Sequence, residues 1–511
     1  MKRNIYIYLI GLVLLTGCSK FLEDYSQDLV VVKKISDLDE ILLGSVYLPS
    51  TEVKELNYGD IGWWLHILDD DVNTVIEPNA IKGRTEMDGS FYGYTTWQFE
   101  VGRSYDGGNL AGDKRLWEEL YQRINATNII LNEIDGIDQA KETDKLDALR
   151  IKGESHFLRA QFYFLLVNIY GSMYTAETAE TTAGVPLKLT HFVEHDKLKT
   201  SQFTRSSVGQ VYHQIVKDLE ESITYFSESP QRNIFYRANK RAAMLLLSRV
   251  YLYMQEWEKA KLLAEDLLKL NKDLMDYPAI PAQGIAIAEG NPEIIFSHGS
   301  ANLQNAFTGR GGDFCITRDL YNTYEATDAR KSLYFTHAFS SDSIALNTKY
   351  KTGLHRSTTS DLFLLRNAEA YLNMAEACAM LGDVNGANLW LNNLKRKRFV
   401  NYVDLNHDVS TIIEEVRRER RRELCLEGHR WFDLRRYAVN KIAPFSRTIE
   451  HVYVSYNWDD KNILKQAEVY QLLPNDPAYT FAIPKAVLDF DLDMGDNPRN
   501  VRKLNRLIEF E

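Results

Sequence analysis

Aromatic and acidic side chains are concentrated in residues 57–113, a stretch rich in Gly, Tyr, Trp, Asp and Asn that has no sustained helical period. Sugar rings have apolar C–H faces that stack on aromatic planes, while their hydroxyl groups need partners such as Asp, Asn and Arg. Long ordered loops in compact proteins usually carry function. The stretch therefore predicts a ligand site, and its candidate residues are Trp63, Trp64, Tyr92, Tyr94 and Trp97.

The same aromatic residues have a second interpretation, in which they cover a scaffold. We expect at least one of the adjacent Trp63 and Trp64 to lie in the core. The i, i+2 spacing of Tyr92 and Tyr94 would place both rings on one face of a strand. Composition does not separate stacking on a ligand from packing in a core, so both interpretations stay open.

A second candidate loop spans residues 302–314 and contains Phe307, Arg310 and Asp313 among several glycines. Glycines in such a loop more often form a turn than a phosphate cradle. No Lys-Ser/Thr pair follows them, as a P-loop would require. We expect this loop to contribute an aromatic ring and polar side chains to a ligand site.

Asp69-Asp70-Asp71 is the most acidic group in the first loop. Glycoside hydrolysis needs two carboxylates that face each other across a bond, and adjacent residues do not supply that geometry. Calcium needs six to eight oxygen ligands, and the spaced acidic loop that provides them is absent. We expect a solvated loop or helix end here, and the sequence predicts no catalytic residues, no metal site and no cofactor.

The first residues have the layout of a secretory signal. Lys2 and Arg3 precede an apolar run over residues 5–15, which is too short to span a bilayer, and Leu15-Thr16-Gly17-Cys18 closes the segment. A cysteine at this position indicates a lipobox, so residues 1–17 are expected to be removed and Cys18 to be lipidated. The alternative is an ordinary cleaved signal with a coincidental cysteine.

The overall charge of the chain bears on which kinds of molecule it can bind. The formal net charge is −11, and no basic tract is present, which argues against nucleic acid as a partner. Cys315, Cys378 and Cys425 are scattered and have no metal-ligand spacing. We expect Cys378 and Cys425 to be buried free thiols, because both fall in apolar helical stretches.

Paired helices are expected to position the loops. Residues 239–270 and 371–394 repeat the apolar and small-residue offsets of a tetratricopeptide pair, in which Ala260 and Ala387 would sit where two helices approach closely. The fold class is therefore mainly α, with helical repeat pairs over about 116–270 and 361–437. Loop-rich parts carrying short strands fill about 57–113, 271–360 and 440–511, and residues 18–511 form one domain.

The charged segment 411–437 is expected to be one helix laced with ion pairs against neighbouring repeats, because Glu and Arg alternate at helical spacing. Its single histidine, His429, is expected to be packed beside Trp431 and not to bind a metal.

Several short motifs together resemble the SusD/RagB family of surface nutrient-binding lipoproteins. The resemblance covers nearly everything from Cys18 onward and rests on the order and spacing of its motifs. These are Cys18-Ser19-Lys20-Phe21-Leu22, Trp117 with Tyr121, Ile124 and Asn128, Gly153-Glu154-Ser155-His156-Phe157-Leu158-Arg159-Ala160, Gly184-Val185-Pro186, Arg366-Asn367-Ala368-Glu369-Ala370-Tyr371-Leu372, Glu419 to Glu423, Glu427-Gly428-His429-Arg430-Trp431-Phe432-Asp433-Leu434, Ile483-Pro484 and Asn497-Pro498.

The resemblance implies a lid-like protein at the outer-membrane surface, paired with a SusC-like TonB-dependent transporter. Its helical scaffold would face the transporter, and the loop-rich remainder would present the ligand site. The expected ligand is an oligosaccharide, and the alternatives are a peptide ligand, a surface glycoside hydrolase, or a structural partner of the transporter that binds no ligand.

Overall fold

A computed structural model describes residues 32–48, 63–75, 89–108, 111–192, 198–199, 201–229, 234–281, 284–299, 314–337, 344–350, 359–456 and 464–509. Within these ranges the chain is mainly helical, as the sequence predicts. A search of these helices finds none whose length and apolar character would let it cross a membrane.

The scaffold is an array of long helices that pack on one another in chain order. α1 (Ile35–Ile41) runs into a π-helical turn (Leu42–Val46), and both lie against the first two long helices of the array, α3 (Ala111–Glu133) and α4 (Glu142–Tyr170). The array itself consists of α3, α4, α5 (Val208–Glu228), α6 (Lys240–Tyr253), α7 (Trp257–Leu270), α10 (Asn367–Met380), α11 (Val384–Lys395) and α12 (Ile412–Leu424). The remaining helices are the short α2 (Tyr92–Thr95), α8 (Arg318–Tyr321), α9 (Ala329–Tyr334), α13 (Arg430–Ala438) and α14 (Lys485–Phe490).

The two predicted repeat pairs are confirmed as α6 with α7 and α10 with α11. Ala260 and Ala387 are fully buried where the helices of each pair meet, and the Ser248 hydroxyl donates to the Ala260 carbonyl at 3.0 Å across the first pair. Gly382 has φ +79° in the turn of the second pair, and the carboxylate of Asp383 caps α11. Small residues at these positions let the helix backbones approach closely.

The prediction of one charged helix over 411–437 is wrong. The segment forms α12 and α13, separated by a turn in which Leu426 has φ +58° and Gly428 has φ +74°. A Cβ atom at position 428 would meet Leu362 Cδ2 at 2.5 Å. The left-handed backbone at these two residues ends α12 and favours a glycine at 428, where a side chain would also require Leu362 to move.

Three small sheets complete the described fold, and all their strand pairs are antiparallel. The first has the order β1-β3-β5-β4, from Val72–Thr74, Phe314–Ile316, Ile344–Leu346 and Phe335–His337. The second pairs β2 (Ile294–Phe296) with β6 (Leu365–Arg366), and β2 is one of the short strands expected within residues 271–360. The third has the order β7-β8-β9, from Ile449–Tyr456, Leu464–Leu472 and Arg506–Glu509.

Side-chain hydrogen bonds join the first and third sheets. The Asn73 amide donates to the Glu450 carbonyl at 3.1 Å, and the backbone N–H of Val452 donates to Asn73 Oδ1 at 3.1 Å. The Thr74 hydroxyl donates to the Val452 carbonyl at 2.5 Å. These bonds fix β1 along β7, and α2 packs on the same strand. Residues of the first predicted loop therefore meet residues more than 300 positions later in the chain.

Candidate functional site

The segment that carries Tyr92 and Tyr94 is one helical turn, α2, so the predicted strand is wrong. A Cβ atom on Gly93 would lie 2.2 Å from the Val101 carbonyl oxygen, and a side chain at this position is therefore excluded. Successive residues of a helix point in different directions, unlike residues i and i+2 of a strand. Tyr94 accordingly points inward and is only 6% exposed, whereas Tyr92 is half-buried at the surface.

Tyr94, Trp64 and Trp97 are core residues in the structure. The ring of Trp64 stacks on both Tyr94 and Phe481, with centroid distances of 5.0 Å to each. Trp97, which is 1% exposed and has φ +52°, stacks on His451 at 4.4 Å and donates its indole N–H to the Leu68 carbonyl at 2.9 Å. Their burial fits the interpretation in which aromatics cover the scaffold, and a role in ligand binding stays a prediction for these three residues.

The surface beside α2 holds a group of aromatic residues around one carboxylate. Tyr105 stacks on Tyr453 with a centroid distance of 4.6 Å, and the edge of Tyr92 meets both rings at 5.1 and 5.0 Å. Tyr470 meets Tyr92 at 6.0 Å. We call these four residues with Glu468 the tyrosine cluster. Tyr105 is 42% exposed, so its ring is the open aromatic surface of the cluster.

Glu468 is the acceptor on which the cluster converges. Tyr105 donates its hydroxyl to one carboxylate oxygen at 2.9 Å, and Tyr470 donates to the other at 2.7 Å. The Gln466 amide adds a third donor at 3.3 Å. Because the Tyr470 proton is used on Glu468, the Tyr92 hydroxyl donates to the Tyr470 oxygen at 3.0 Å. These bonds hold the aromatic rings in one arrangement before any ligand arrives.

The phenols of Tyr92, Tyr105 and Tyr470 stay protonated around neutral pH. Burial, followed by the hydrogen bond to Glu468, raises the pKa of Tyr105 to about 12. Burial also raises the pKa of Tyr92 and of Tyr470. The cluster thus offers an apolar ring face next to hydroxyl, amide and carboxylate groups. This combination suits a neutral ring that carries hydroxyl groups, because C–H groups can stack while the hydroxyls bond to polar atoms.

Sequence reasoning found Tyr92 but missed the other members of the tyrosine cluster. Glu468 and Tyr470 stand at i, i+2 on β8, and Tyr453 lies opposite Glu468 on β7. Strand alternation would have placed these side chains on one face. What the sequence does not contain is the docking of α2 and of Tyr105 onto that face, which depends on contacts between distant segments.

The expectation that Asp69-Asp70-Asp71 is solvated is wrong, because all three residues are buried. Asp70 accepts two hydrogen bonds from Arg430, at 2.7 and 2.8 Å, and one from Arg447 at 2.8 Å. Arg421 donates to Asp71 at 2.6 Å. The three carboxylates lie close enough together to share an ion. Three guanidinium groups already balance the charge of these carboxylates, so we assign the cluster a structural role.

The pKa values of these aspartates differ according to their partners. Burial opposes ionisation of Asp70, but the guanidinium groups of Arg430 and Arg421 outweigh it and hold the pKa far below its ordinary value. Burial, together with the neighbouring carboxylates, raises the pKa of Asp69 well above its ordinary value. The ion pairs of Asp70 tie the first loop to α12 and α13.

The other sequence candidates lie outside the described residues or outside the described side chains. Phe307, Arg310, Asp313 and Cys18 fall in the first group, and the side chain of Trp63 falls in the second. Their roles stay predictions. The expected packing of His429 is confirmed, as is the burial of the free thiols Cys378 and Cys425.

Two family models match the chain. Residues 79–252 match a family described as "Starch-binding associating with outer membrane", and residues 316–499 match one described as "SusD family". The first match covers α2, Tyr92 and Tyr105, and the second covers β7 and β8, so both halves of the tyrosine cluster fall within them.

Curated relatives are distant in sequence. A SusD-like protein, P25, from Formosa agariphila is 24% identical over 262 residues, which are 50% of this chain and 44% of the relative. A SusD-like protein from Bacteroides ovatus is 22% identical over 387 residues, or 64% of this chain and 65% of the relative. The matched part of the chain thus spans about half to two thirds of the length of these two relatives.

Solved structures share the fold over most of the chain. A SusD-like carbohydrate binding protein from Bacteroides vulgatus superposes with a TM-score of 0.68 at 22% identity, covering 91% of this chain and 98% of that one. A SusD superfamily protein from Bacteroides thetaiotaomicron gives a TM-score of 0.66 at 22% identity, covering 91% and 100%. At this level of identity the likeness shows the fold alone.

Proposed function

Because the chain belongs to the SusD/RagB family, we propose that it captures an oligosaccharide at the outer membrane and delivers it to a SusC-like TonB-dependent transporter. Two descriptions support a saccharide ligand: the matched family is called starch-binding and outer-membrane-associated, and one neighbour of the same fold is called a carbohydrate binding protein.

The single observation that carries the proposal is the tyrosine cluster. It combines the open ring of Tyr105 with the Glu468 carboxylate at 2.9 Å from the Tyr105 hydroxyl. A sugar stacked on Tyr105 would place its hydroxyl groups near Glu468 and the Gln466 amide. The cluster is held by hydrogen bonds within the protein, so little ordering is needed when a sugar binds.

We propose a binding protein and not an enzyme. The carboxylate of Glu468 is engaged by three protein donors, and the buried Asp70 is held by arginines. Neither presents the pair of facing carboxylates that glycoside hydrolysis uses. A peptide ligand is the alternative within the same family. Release of new reducing ends from a bound glycan, or selective binding of peptides, would contradict this proposal.

A glycan array on the purified chain, followed by calorimetric titration of the best glycan, tests the proposal. We expect Tyr105→Ala to lower the affinity about tenfold, or roughly 1.4 kcal/mol, because a stacked ring is lost. Tyr105→Phe keeps the ring and should retain most of the affinity. Leu473→Ala, at a half-exposed position just beyond β8, is the control and should bind normally. Unchanged affinity in Tyr105→Ala would exclude the tyrosine cluster as the site.

Delivery to a transporter is tested in cells that produce the same variants. Uptake of the array-selected glycan, carrying a fluorescent label, should fall in Tyr105→Ala and not in Leu473→Ala. Uptake that is equal in both variants would contradict a role of the tyrosine cluster in delivery.

The membrane anchor is proposed from the N-terminal motif. Cys18→Ala should release the chain into soluble fractions, because the acyl chains would be its main membrane contact. Metabolic labelling with a fatty-acid analogue measures this directly. Cys315→Ala is the matched control and should stay labelled. Label on the Cys18→Ala variant would show that the anchor lies elsewhere.

A further inference from the structure

A groove of about 570 Å³ lies away from the tyrosine cluster, between α3, the connection that follows α4, and α14. Its aromatic and apolar walls include Trp117, Tyr121, Phe203, Val487 and Phe490, with Lys188 at the rim. We call it the α3 groove. Its volume falls within the range of small-molecule sites, about 300–1,000 Å³.

The walls of the α3 groove are held in place by hydrogen bonds. Tyr121 donates its hydroxyl to the Pro186 carbonyl at 2.8 Å, which ties the Gly184-Val185-Pro186 motif to α3. At the opposite wall, Asp491 Oδ1 accepts the backbone N–H of Gln202 at 2.5 Å and that of Phe203 at 3.3 Å. The groove is therefore built before any ligand binds.

The floor of the groove is aromatic. Trp117 and Tyr121 stand one helical turn apart on α3, with ring centroids 5.0 Å apart. The Trp117 indole N–H makes no hydrogen bond with any residue in the described ranges, although the residue is almost fully buried. Phe490 lies at the end of α14 and is 60% exposed. An exposed aromatic ring next to a buried one with a free donor is suited to stacking on a ligand.

The rim offers both donors and acceptors. Glu118 and Gln122 are exposed on α3, and Asn125 and Lys188 are half-buried beside them. The Lys188 ammonium donates to Asn125 Oδ1 and to the Thr190 carbonyl, each at 2.6 Å. Hydroxyl groups both donate and accept hydrogen bonds, so a polyhydroxylated ring can use every group on this rim.

The charges argue against two other ligand classes. An anion would meet the carboxylates of Glu118 and Asp491. Among the described residues of the rim the one cation is Lys188, which already has two oxygen acceptors. An acyl chain would make no hydrogen bond with the charged and amide groups of this open rim. A neutral sugar uses both the aromatic floor and the polar rim.

From these contacts we infer that the α3 groove is a second binding site for a neutral saccharide, separate from the tyrosine cluster. The inference rests on the proposed function for its ligand class. A row of packed rings fills the core behind the groove: Trp117 meets Tyr170 at 5.0 Å, Tyr170 meets Phe481 at 6.4 Å, and Phe481 meets Trp64 at 5.0 Å. Trp64 in turn stacks on Tyr94 of α2, so core aromatics separate the two sites.

Calorimetric titration of the purified chain with maltotriose, cellotriose, laminaritriose, mannotriose and xylotriose tests the inference. Tyr105→Ala removes the open ring of the tyrosine cluster, and the binding that remains should belong to the groove. Adding Phe490→Ala to Tyr105→Ala should weaken that remaining binding at least about tenfold, because a stacking ring is lost. Ala486→Trp, which fills the groove from an exposed position, should have the same effect.

The control is Leu492→Ala, since Leu492 is 68% exposed near Phe490 but does not line the groove. It should leave every titration unchanged, and thermal melts should show that all variants fold. Loss of all binding in Tyr105→Ala alone, or equal binding in Phe490→Ala and Leu492→Ala, would overturn the inference and leave the proposed function standing. Binding that depends on Phe490 but not on Tyr105 would support the inference and would exclude the tyrosine cluster as a binding site.

Two further outcomes count against the α3 groove. The first is wild-type chain that binds none of the five trisaccharides. The second is binding of the tripeptide Gly-Phe-Gly that depends on Phe490 while no trisaccharide competes with it. The latter would assign the groove to peptides.

Discussion

Trp97 and Tyr105 lie in the same short segment, and their surroundings give them different roles. Trp97 is enclosed by His451 and bonded to the Leu68 carbonyl, whereas Tyr105 keeps one part of its ring in solvent. Both are aromatic residues in a Gly-rich loop, so residue type does not separate them. Burial does, because only an exposed ring can meet a ligand without disturbing the core.

Replacing Trp97 should therefore affect the stability of the fold more than ligand binding. Trp97→Ala should lower the free energy of unfolding by about 3–5 kcal/mol, because a buried ring and a buried hydrogen bond are lost together. Denaturant unfolding followed by circular dichroism measures the change. Tyr105→Ala is the comparison and should lower stability by far less. Equal stability of the two variants would mean that Trp97 is not a core residue.

At the scale of the element, helix pairing follows from small residues at fixed positions. Ala260 on α7 and Ala387 on α11 have no exposed surface, and each lies where its helix meets its partner. Exposed leucines occur on the same helices, at Leu262 and Leu389. The helices thus pack through one narrow face each.

Enlarging one of these alanines should force the paired helices apart. Ala387→Leu and Ala260→Leu should each destabilise the fold by about 1–3 kcal/mol through overpacking. Leu389→Ala and Leu262→Ala change side-chain size on the exposed faces of the same helices and should have little effect. Thermal melts of all four variants compare the two faces. Melts of the alanine variants that match the parent would contradict the packing described here.

α12 crosses the interior with charged side chains that are buried. Glu423 accepts hydrogen bonds from three guanidinium groups: Arg366 at 2.5 Å, Arg330 at 2.7 Å and Arg398 at 2.8 and 2.9 Å. Charges in such a position need complete pairing, because loss of one partner leaves another uncompensated. Arg330 belongs to α9 in the loop-rich part of the chain, so its ion pair with Glu423 connects that part to α12.

At the scale of the whole molecule, many buried carboxylates titrate below their ordinary range. Burial opposes their ionisation, and nearby guanidinium or ammonium groups outweigh it and lower the pKa of Glu376, Glu415, Glu419, Glu423, Glu427 and Asp433. As the pH falls, the unfolded chain takes up protons at these groups at a higher pH than the folded chain does. Their contribution to stability is therefore complete above the ordinary glutamate value of 4.5 and is lost below it.

We expect the melting temperature to be nearly constant above about pH 7 and to decline below about pH 6.5, because burial lowers the pKa of His298, His429 and His451 and the unfolded chain protonates these groups first. It should fall steeply below about pH 4.5, where the carboxylates add their effect. Asp69 and Asp71, whose pKa values burial raises, act in the opposite direction and are too few to cancel the effect. Glu423→Gln should cost about 3–5 kcal/mol at neutral pH, and the difference from the parent should shrink in acid. Glu414→Gln, at an exposed ion pair with Arg418, is the control. A pH-independent difference for Glu423→Gln would contradict the titration described here.

The sequence by itself determined the helical scaffold. Apolar and small residues at regular spacing predicted the repeat pairs that contain Ala260 and Ala387, and the apolar setting of Cys378 predicted a buried thiol. Periodicity is a local property, because the face of a helix that becomes buried is set by residues three and four positions apart. The motifs that carry the family resemblance are local as well, because each consists of residues close together in the chain.

Only the tertiary structure decided which residues form the candidate site and which charged side chains are buried in ion pairs. The sequence predicts that Asp70 is a solvated loop residue, whereas in the structure Arg430, 360 positions later, binds its carboxylate. Tyr92 enters the tyrosine cluster because it meets Tyr470. Whether a polar or aromatic side chain faces solvent depends on which distant segment packs over it, and sequence spacing holds no record of that packing.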